Sequence, residues 1–397
     1  MAEPALKIDV APQSRAGDRT SRERTVGIDY LRTFVVLLVV IHHSVLAYVT
    51  FGRFDRAHYL WSTAPILDER RWAGFDLIVI FNDVFFMSLM FLVSGLFVWP
   101  SLERKAARTF MRDRLVRLGI PFAVVVASLM PLAFYPSYRM TGADIGFAAY
   151  WRQCLSWSGW PSGPAWFVWV LLAFDAAAAA VWKIAPGAGA ALRERGTAIL
   201  SSSLRSFAAL AAASTVAYMP MLLIYGRWHW FALGPFAVQA SRVGLYAAWF
   251  GAGVAAGAAG LDRGIFSPRG PLARRWLRWA IAAMAFFVLV VAMELRPPPL
   301  ALYAAGFAAA CAAMGLAMTA LFLRFASART PSLESLNACS YGIYLIHYPF
   351  VIWLQWAMLD ADVTPILKAV FVFAAALTLS WSAVAALRRI TMVAKAI

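Results

Sequence analysis

A chain of 397 residues that is 62% hydrophobic and only 14% charged carries more apolar surface than a water-soluble domain of its size can hide. Its net charge of +16 would suit a nucleic-acid binder, but the basic residues sit in short stretches between long apolar runs, a topology signal that argues against nucleic acid as a partner. Three scattered cysteines (Cys154, Cys311 and Cys339) with no C-x-x-C pair predict neither a disulfide framework nor a zinc site.

The first residues are polar, with Arg15, Arg19, Arg22 and Arg24, and residues 1–25 are expected to form a disordered cytoplasmic tail. The apolar run that follows is too long for the h-region of a signal peptide and reads as a retained first span. Runs of about 20 residues, enough to cross hydrocarbon, predict spans near 28–50, 76–99, 116–135, 164–184, 204–225, 233–259, 276–295, 300–323, 338–358 and 364–387. Every second loop is basic. Arg104 to Arg117 follow the second span, Arg193, Arg195 and Arg205 the fourth, Arg263 to Arg278 the sixth, Arg324 and Arg329 the eighth, and Arg388, Arg389 and Lys395 the last. The opposite loops are balanced or acidic, as with Asp360 and Asp362. The positive-inside rule then predicts an all-α integral membrane protein of about ten transmembrane helices, multi-pass in the inner (cytoplasmic) membrane. Both termini would be cytoplasmic, and the membrane domain would span 26–390.

Ionisable side chains near the bilayer centre cost at least ~2.5–3.5 kcal/mol each, so those retained usually face a cavity or a partner. Here they are His42, His43, Asp83, Asp175, Arg242 and His347. His43 lies ~10 Å below the outer end of the first span, and Asp83 lies ~10 Å below the outer end of the second, so the two share a depth. A carboxylate beside an imidazole would fix its tautomer and favour a general base. Arg242 falls at nearly the same level, and an Asp83–Arg242 ion pair is almost as well supported. His42 points ~100° away from His43 and reads as a helix–helix partner, as does Asp175 in its Ala-rich helix.

Ten residues separate Arg32 from His43, after the start Asp29-Tyr30-Leu31-Arg32. Four more segments follow in order: Phe85-Phe86 to Ser94-Gly95, Arg114-Leu115-Val116-Arg117 to Pro121, Gly163-Pro164-Ala165-Trp166-Phe167, and Ser340-Tyr341-Gly342-Ile343-Tyr344-Leu345-Ile346-His347. Together they resemble the acyltransferase 3 family of membrane O-acyltransferases, closest to the branch of periplasmic-glucan succinyltransferases (glucan biosynthesis protein C). The chain departs from the O-antigen acetyltransferase branch, which has Ser where Phe167 stands.

The resemblance implies transfer of an acetyl or succinyl group from cytoplasmic acyl-CoA to a hydroxyl, commonly of a glycan, at the far side of the bilayer. His43 would be the general base, Asp83 would orient it, and His347 would polarise the thioester carbonyl or position the acceptor. Arg32, Arg114 and Arg117 would dock the CoA phosphates. Arg242 and Trp166 would contact the substrate, although an aromatic at this level is more often part of the interfacial belt. No metal is expected, and acyl-CoA enters as co-substrate. The rival reading is a proton-coupled transporter or lipid-linked glycan flippase that uses the same buried groups as a relay.

Overall fold

Prolines and glycines decide where the long apolar runs stop, bend and touch. The computed structural model describes residues 13–155, 160–261, 264–394 and 396–397, with side chains from Val26 onward. Helix α1 (Gln13–Val45) leaves the arginine-rich end of the bundle and α2 (Gly74–Gly95) returns to it. Helix α3 (Val98–Arg114) is kinked at Ala106, where φ is +59°. It continues through two π-helical turns into α4 (Ile120–Val124) and α5 (Met130–Met140). After α6 (Phe147–Cys154) come α7 (Trp166–Ile184), α8 (Ala188–Leu200) and α9 (Ser203–Tyr225). A hairpin of β1 (Trp230–Leu233) and β2 (Phe236–Gln239) leads into α10 (Val243–Ala259). Then follow α11 (Pro271–Arg274), α12 (Trp276–Leu295), α13 (Leu300–Phe325), α14 (Pro331–Ala357), α15 (Pro365–Leu387) and α16 (Thr391–Ala394). The expected tail falls partly outside the described residues; from Gln13 its backbone is helical and joins α1.

The chain is an all-α multi-pass membrane protein. Among the described residues, eight helical stretches are long and apolar enough to cross a bilayer, against the ten expected. The two that fall short have physical reasons. The expected span 233–259 begins with Gly234-Pro235, which closes the hairpin as a two-residue turn with Gly234 at φ +55°, and only 17 residues remain for α10. Helix α14 has 27 residues but carries Glu334, Asn337, Ser340, His347 and Gln355. In the third segment, the 43 residues of Val98–Met140 would reach ~65 Å, about twice the hydrocarbon thickness. The kink at Ala106 divides them, and the exposed Arg104, Lys105 and Arg108 keep α3 out of the crossing part.

Helices α2 and α13 are enclosed, whereas α9, α12 and α15 present Val216, Ile281 and Val370 outward, an apolar surface that suits lipid. The tightest helix contact joins α2 to α10. A Cβ at Gly253 would stand 2.1 Å from the Leu92 carbonyl oxygen, and one at Gly257 would stand 2.1 Å from that of Leu96. This Gly-x-x-x-Gly pair lets two backbones meet, which in lipid replaces the hydrophobic force that drives packing in water.

Three prolines in the bent helix cannot donate to the carbonyl four residues earlier. Unpaired carbonyls are expensive in hydrocarbon, and other side chains satisfy each of them. The Tyr341 hydroxyl donates to the Arg117 carbonyl (2.7 Å), freed by Pro121. The Trp151 indole donates to that of Ala127 (2.9 Å), freed by Pro131. The Trp353 indole donates to that of Leu132 (2.9 Å), freed by Pro136. In the intervening π turn, the Trp160 indole reaches the Val126 carbonyl at 2.9 Å.

At the opposite end of the bundle a buried ion pair holds the loops. Lys368 Nζ donates to Asp68 Oδ2 (2.6 Å) and to the Leu359 carbonyl (3.0 Å), while Arg70 pairs with Asp362. The balanced charges of the loop before α2 thus meet the acidic loop before α15.

Substituting Gly253 by Val should destabilise the bundle by ~1–3 kcal/mol or more, seen as a lower melting temperature or loss of the monodisperse peak in detergent. Lys368→Met alone should cost ~3–5 kcal/mol by stranding the Asp68 carboxylate, and adding Asp68→Leu should recover most of that loss in the same melting assay.

Candidate active site

Helices α1 and α14 run side by side in the same direction, and polar groups pair along their seam. From the arginine-rich end upward, Tyr30 donates to Glu334 (2.8 Å), Arg32 and Thr33 donate to Asn337 (3.2 and 3.0 Å), and His43 meets His347. Near the top, Gln355 Nε2 donates to the carbonyls of His43 (2.8 Å) and Ser44 (3.2 Å). Those two carbonyls lie in the last turn of α1, where no intrahelical donor follows, and Gln355 supplies one.

His43 Nδ1 lies 3.1 Å from His347 Nε2. The tautomers follow from the partners. His347 Nδ1 faces the carbonyls of Tyr344 (2.8 Å) and Ile343 (3.2 Å), which only accept, so Nδ1 carries the proton and Nε2 offers a lone pair. His43 must therefore donate from Nδ1, and its Nε2 is the bare nitrogen. The Tyr348 ring stands edge-on to His43, with centroids 4.9 Å apart, and fixes the imidazole plane. His347 and Tyr344 are buried.

Asp83 does not orient His43. Both of its oxygens are taken by Arg242, with Nη1 donating to Oδ1 at 2.8 Å and Nη2 to Oδ2; Nη1 also reaches the Asp83 carbonyl at 3.1 Å. Height along a helix leaves the direction of a side chain open. Arg242 sits in a tight turn just before α10, not inside a span, and lies over the Phe307 ring at 5.0 Å. His42, expected as a hydrogen-bond partner between helices, instead packs on Phe86 at 5.2 Å with its ring perpendicular to that of His43 (86°), and its Nδ1 has no partner among the described residues.

The three arginines proposed as anion ligands gather around the lower part of α14. Arg32 holds Asn337, Arg114 and Arg117 both lie near Tyr341, and the Arg117 carbonyl accepts from the Tyr341 hydroxyl. Tyr341 and Asn337 precede His347 by six and ten residues, ~9 and ~15 Å along the axis. Arg114 Nε stands 3.1 Å from Asp175 Oδ2 in an ion pair without an aligned hydrogen bond, so Arg114 already has an anionic neighbour. The Arg117 side chain is exposed.

Trp166 begins α7 and stacks on Tyr246 (centroids 5.4 Å), with Trp230 of the hairpin against it edge-on at 6.2 Å. Aromatic contacts connect it to the histidines through Phe91, Phe167 and Tyr344. The hairpin is tied to this helix by the Trp169 indole, which donates to the Ala237 carbonyl at 2.9 Å. Among the described residues, no three His, Cys, Asp or Glu side chains come together as a metal site.

Nitrogen-15 spectra of histidine-labelled protein in bilayers should show His347 protonated at Nδ1 only and His43 bare at Nε2. Replacing His347 by Leu should remove the Nδ1–H···N coupling of His43 and let its tautomer redistribute.

The profile of a family described as an acyltransferase domain (acyltransferase 3) matches residues 25–385. No curated protein and no solved structure matches the chain.

Proposed function

The chain belongs to the acyltransferase 3 family and is an acyltransferase, and from that premise we propose that it moves an acetyl or succinyl group from acyl-CoA to a hydroxyl of a glycan or similar acceptor, with His43 as general base. The observation that carries this reading is the bare Nε2 of a half-buried histidine whose other nitrogen is held by His347. A general base needs an available lone pair and a fixed ring, and both follow from the two hydrogen bonds.

In this reaction the acceptor hydroxyl gives its proton to His43 Nε2 as its oxygen attacks the thioester carbonyl. The tetrahedral intermediate expels the CoA thiolate, which takes the proton back from His43. The Nδ1–H bond to His347 steadies the imidazolium between those steps, a part the triad carboxylate plays elsewhere. His347 is then a positioning residue, because its lone pair faces His43 and leaves no proton there to polarise the thioester.

Acyl-CoA docks at the arginine-rich end in this reading. Arg32, Arg114 and Arg117 meet its phosphates around Asn337 and Tyr341, and the pantetheine arm climbs towards His43. Arg117 is the arginine of the three best placed for this, being exposed. The loop charges support a cytoplasmic position for that end in an inner-membrane protein. Trp166, with Trp230 beside it, offers a ring face to a sugar from the other end, and Arg242, held by Asp83, shapes the wall between them. The glucan succinyltransferase branch remains the preferred acceptor class on the motifs alone.

Release of free thiol from acetyl-CoA and succinyl-CoA by purified protein tests this directly. His43→Ala should lower the rate ~10²–10⁴-fold. His347→Gln, which keeps an acceptor near the place of Nε2, should retain more activity than His347→Leu. Full turnover in His43→Ala, with the protein folded, would overturn the assignment.

A further inference from the structure

An apolar cavity lies in the arginine-rich half of the bundle, among α2, α8, α9, α10 and α13. It has a volume of about 290 Å³, roughly ten times a liquid water's share of ~30 Å³. It opens between Ala213 of α9 and Gly251 of α10, both exposed, and runs inward to the buried Leu92, Trp249 and Leu316. A Cβ at Gly251 would meet nothing within 4 Å, so the mouth faces outward from the bundle, where lipid lies. The walls offer almost no hydrogen bonds. The Ser206 hydroxyl donates to the Ile199 and Ser202 carbonyls, and that of Thr319 donates to the Gly315 carbonyl. A dry apolar hole of this kind takes an apolar occupant rather than water.

The rim adds a charge. Arg205 precedes the lining Ser206, and its Nη1 donates to the Ala198 carbonyl (3.2 Å), which brings the guanidinium to the end of α8 beside the lining Ile199. Arg269, three residues after the lining Phe266, is exposed, as is Arg195. Arg205 and Arg269 form no ion pair among the described residues. Glu194 on α8, two residues before the lining Gly196, is exposed as well.

We propose that the cavity binds one acyl chain of an anionic phospholipid of the bilayer, with the head group held by Arg205 and its basic neighbours. An apolar slot open to hydrocarbon with cations at its polar end matches such an amphiphile in both parts. Each engaged arginine should favour an anionic over a zwitterionic head group about fivefold.

Photo-crosslinking in nanodiscs tests the proposal. The probe is a phosphatidylglycerol carrying a diazirine at the end of one chain, compared with the matching phosphatidylcholine, and adducts are mapped by mass spectrometry. Adducts should appear on the peptides bearing Leu92 and Leu316, which surface lipid does not touch, and should be several-fold weaker with phosphatidylcholine. Gly251→Trp, which plugs the mouth, should abolish them while leaving labelling of the outward face of α12 unchanged. Arg205→Gln should bring the phosphatidylglycerol yield down to the phosphatidylcholine level. Labelling confined to the outward faces of α9, α12 and α15 in the unaltered protein would overturn the proposal, as would equal labelling of Leu92 and Leu316 by the two head groups.

Discussion

The seam between α1 and α14 holds the candidate site together. In hydrocarbon a polar side chain has no water to fall back on, so each must find its partner within the protein. These two helices, about 300 residues apart in the chain, supply partners to one another along most of their shared length. Separating them would strand Asn337, His43 and Gln355 together. The same pairing fixes the registry of the two histidines and sets which nitrogen of His43 is bare.

A similar demand governs the bent helix before α6. Proline is normally costly inside a helix because it removes a donor and crowds the preceding turn. Here the freed carbonyls are taken by Tyr341, Trp151 and Trp353, each of which buries an apolar ring and spends its one polar atom on the backbone. Bending the helix therefore leaves little polar debt, and the bend lets α4 and α5 wrap around α14.

Much of this was legible in the sequence, for reasons that can be named. Hydrophobic runs of about 20 residues report membrane-crossing helices directly. The stretch from Asp29 to His43 and the one from Ser340 to His347 marked both halves of the histidine pair. Their contact was not legible, because nothing local says that residues 304 apart are neighbours. Depth along the helices pairs Asp83 with His43, and only the fold shows the carboxylate turned towards Arg242. The Gly234-Pro235 turn was a readable signal lost in an apolar run averaged over a whole span. Lys368 was readable too, as a lone cation inside a predicted helix, but its partner Asp68 lay in a loop whose charges looked merely balanced.

Tyr341 and Trp353 grip the proline-bent helix from two points on α14, twelve residues or ~18 Å apart, and His347 lies between them. A strut pinned at both ends does not swing. The wall formed by α5 and α14 beside His347 is in this sense a rigid jamb, and the door has to hang elsewhere. On the other side the Trp166 and Trp230 rings meet edge-on, while the hairpin backbone beneath them is held by Trp169 at Ala237. Admission of a bulky guest to His43 would then be set by how easily those aromatic leaves part.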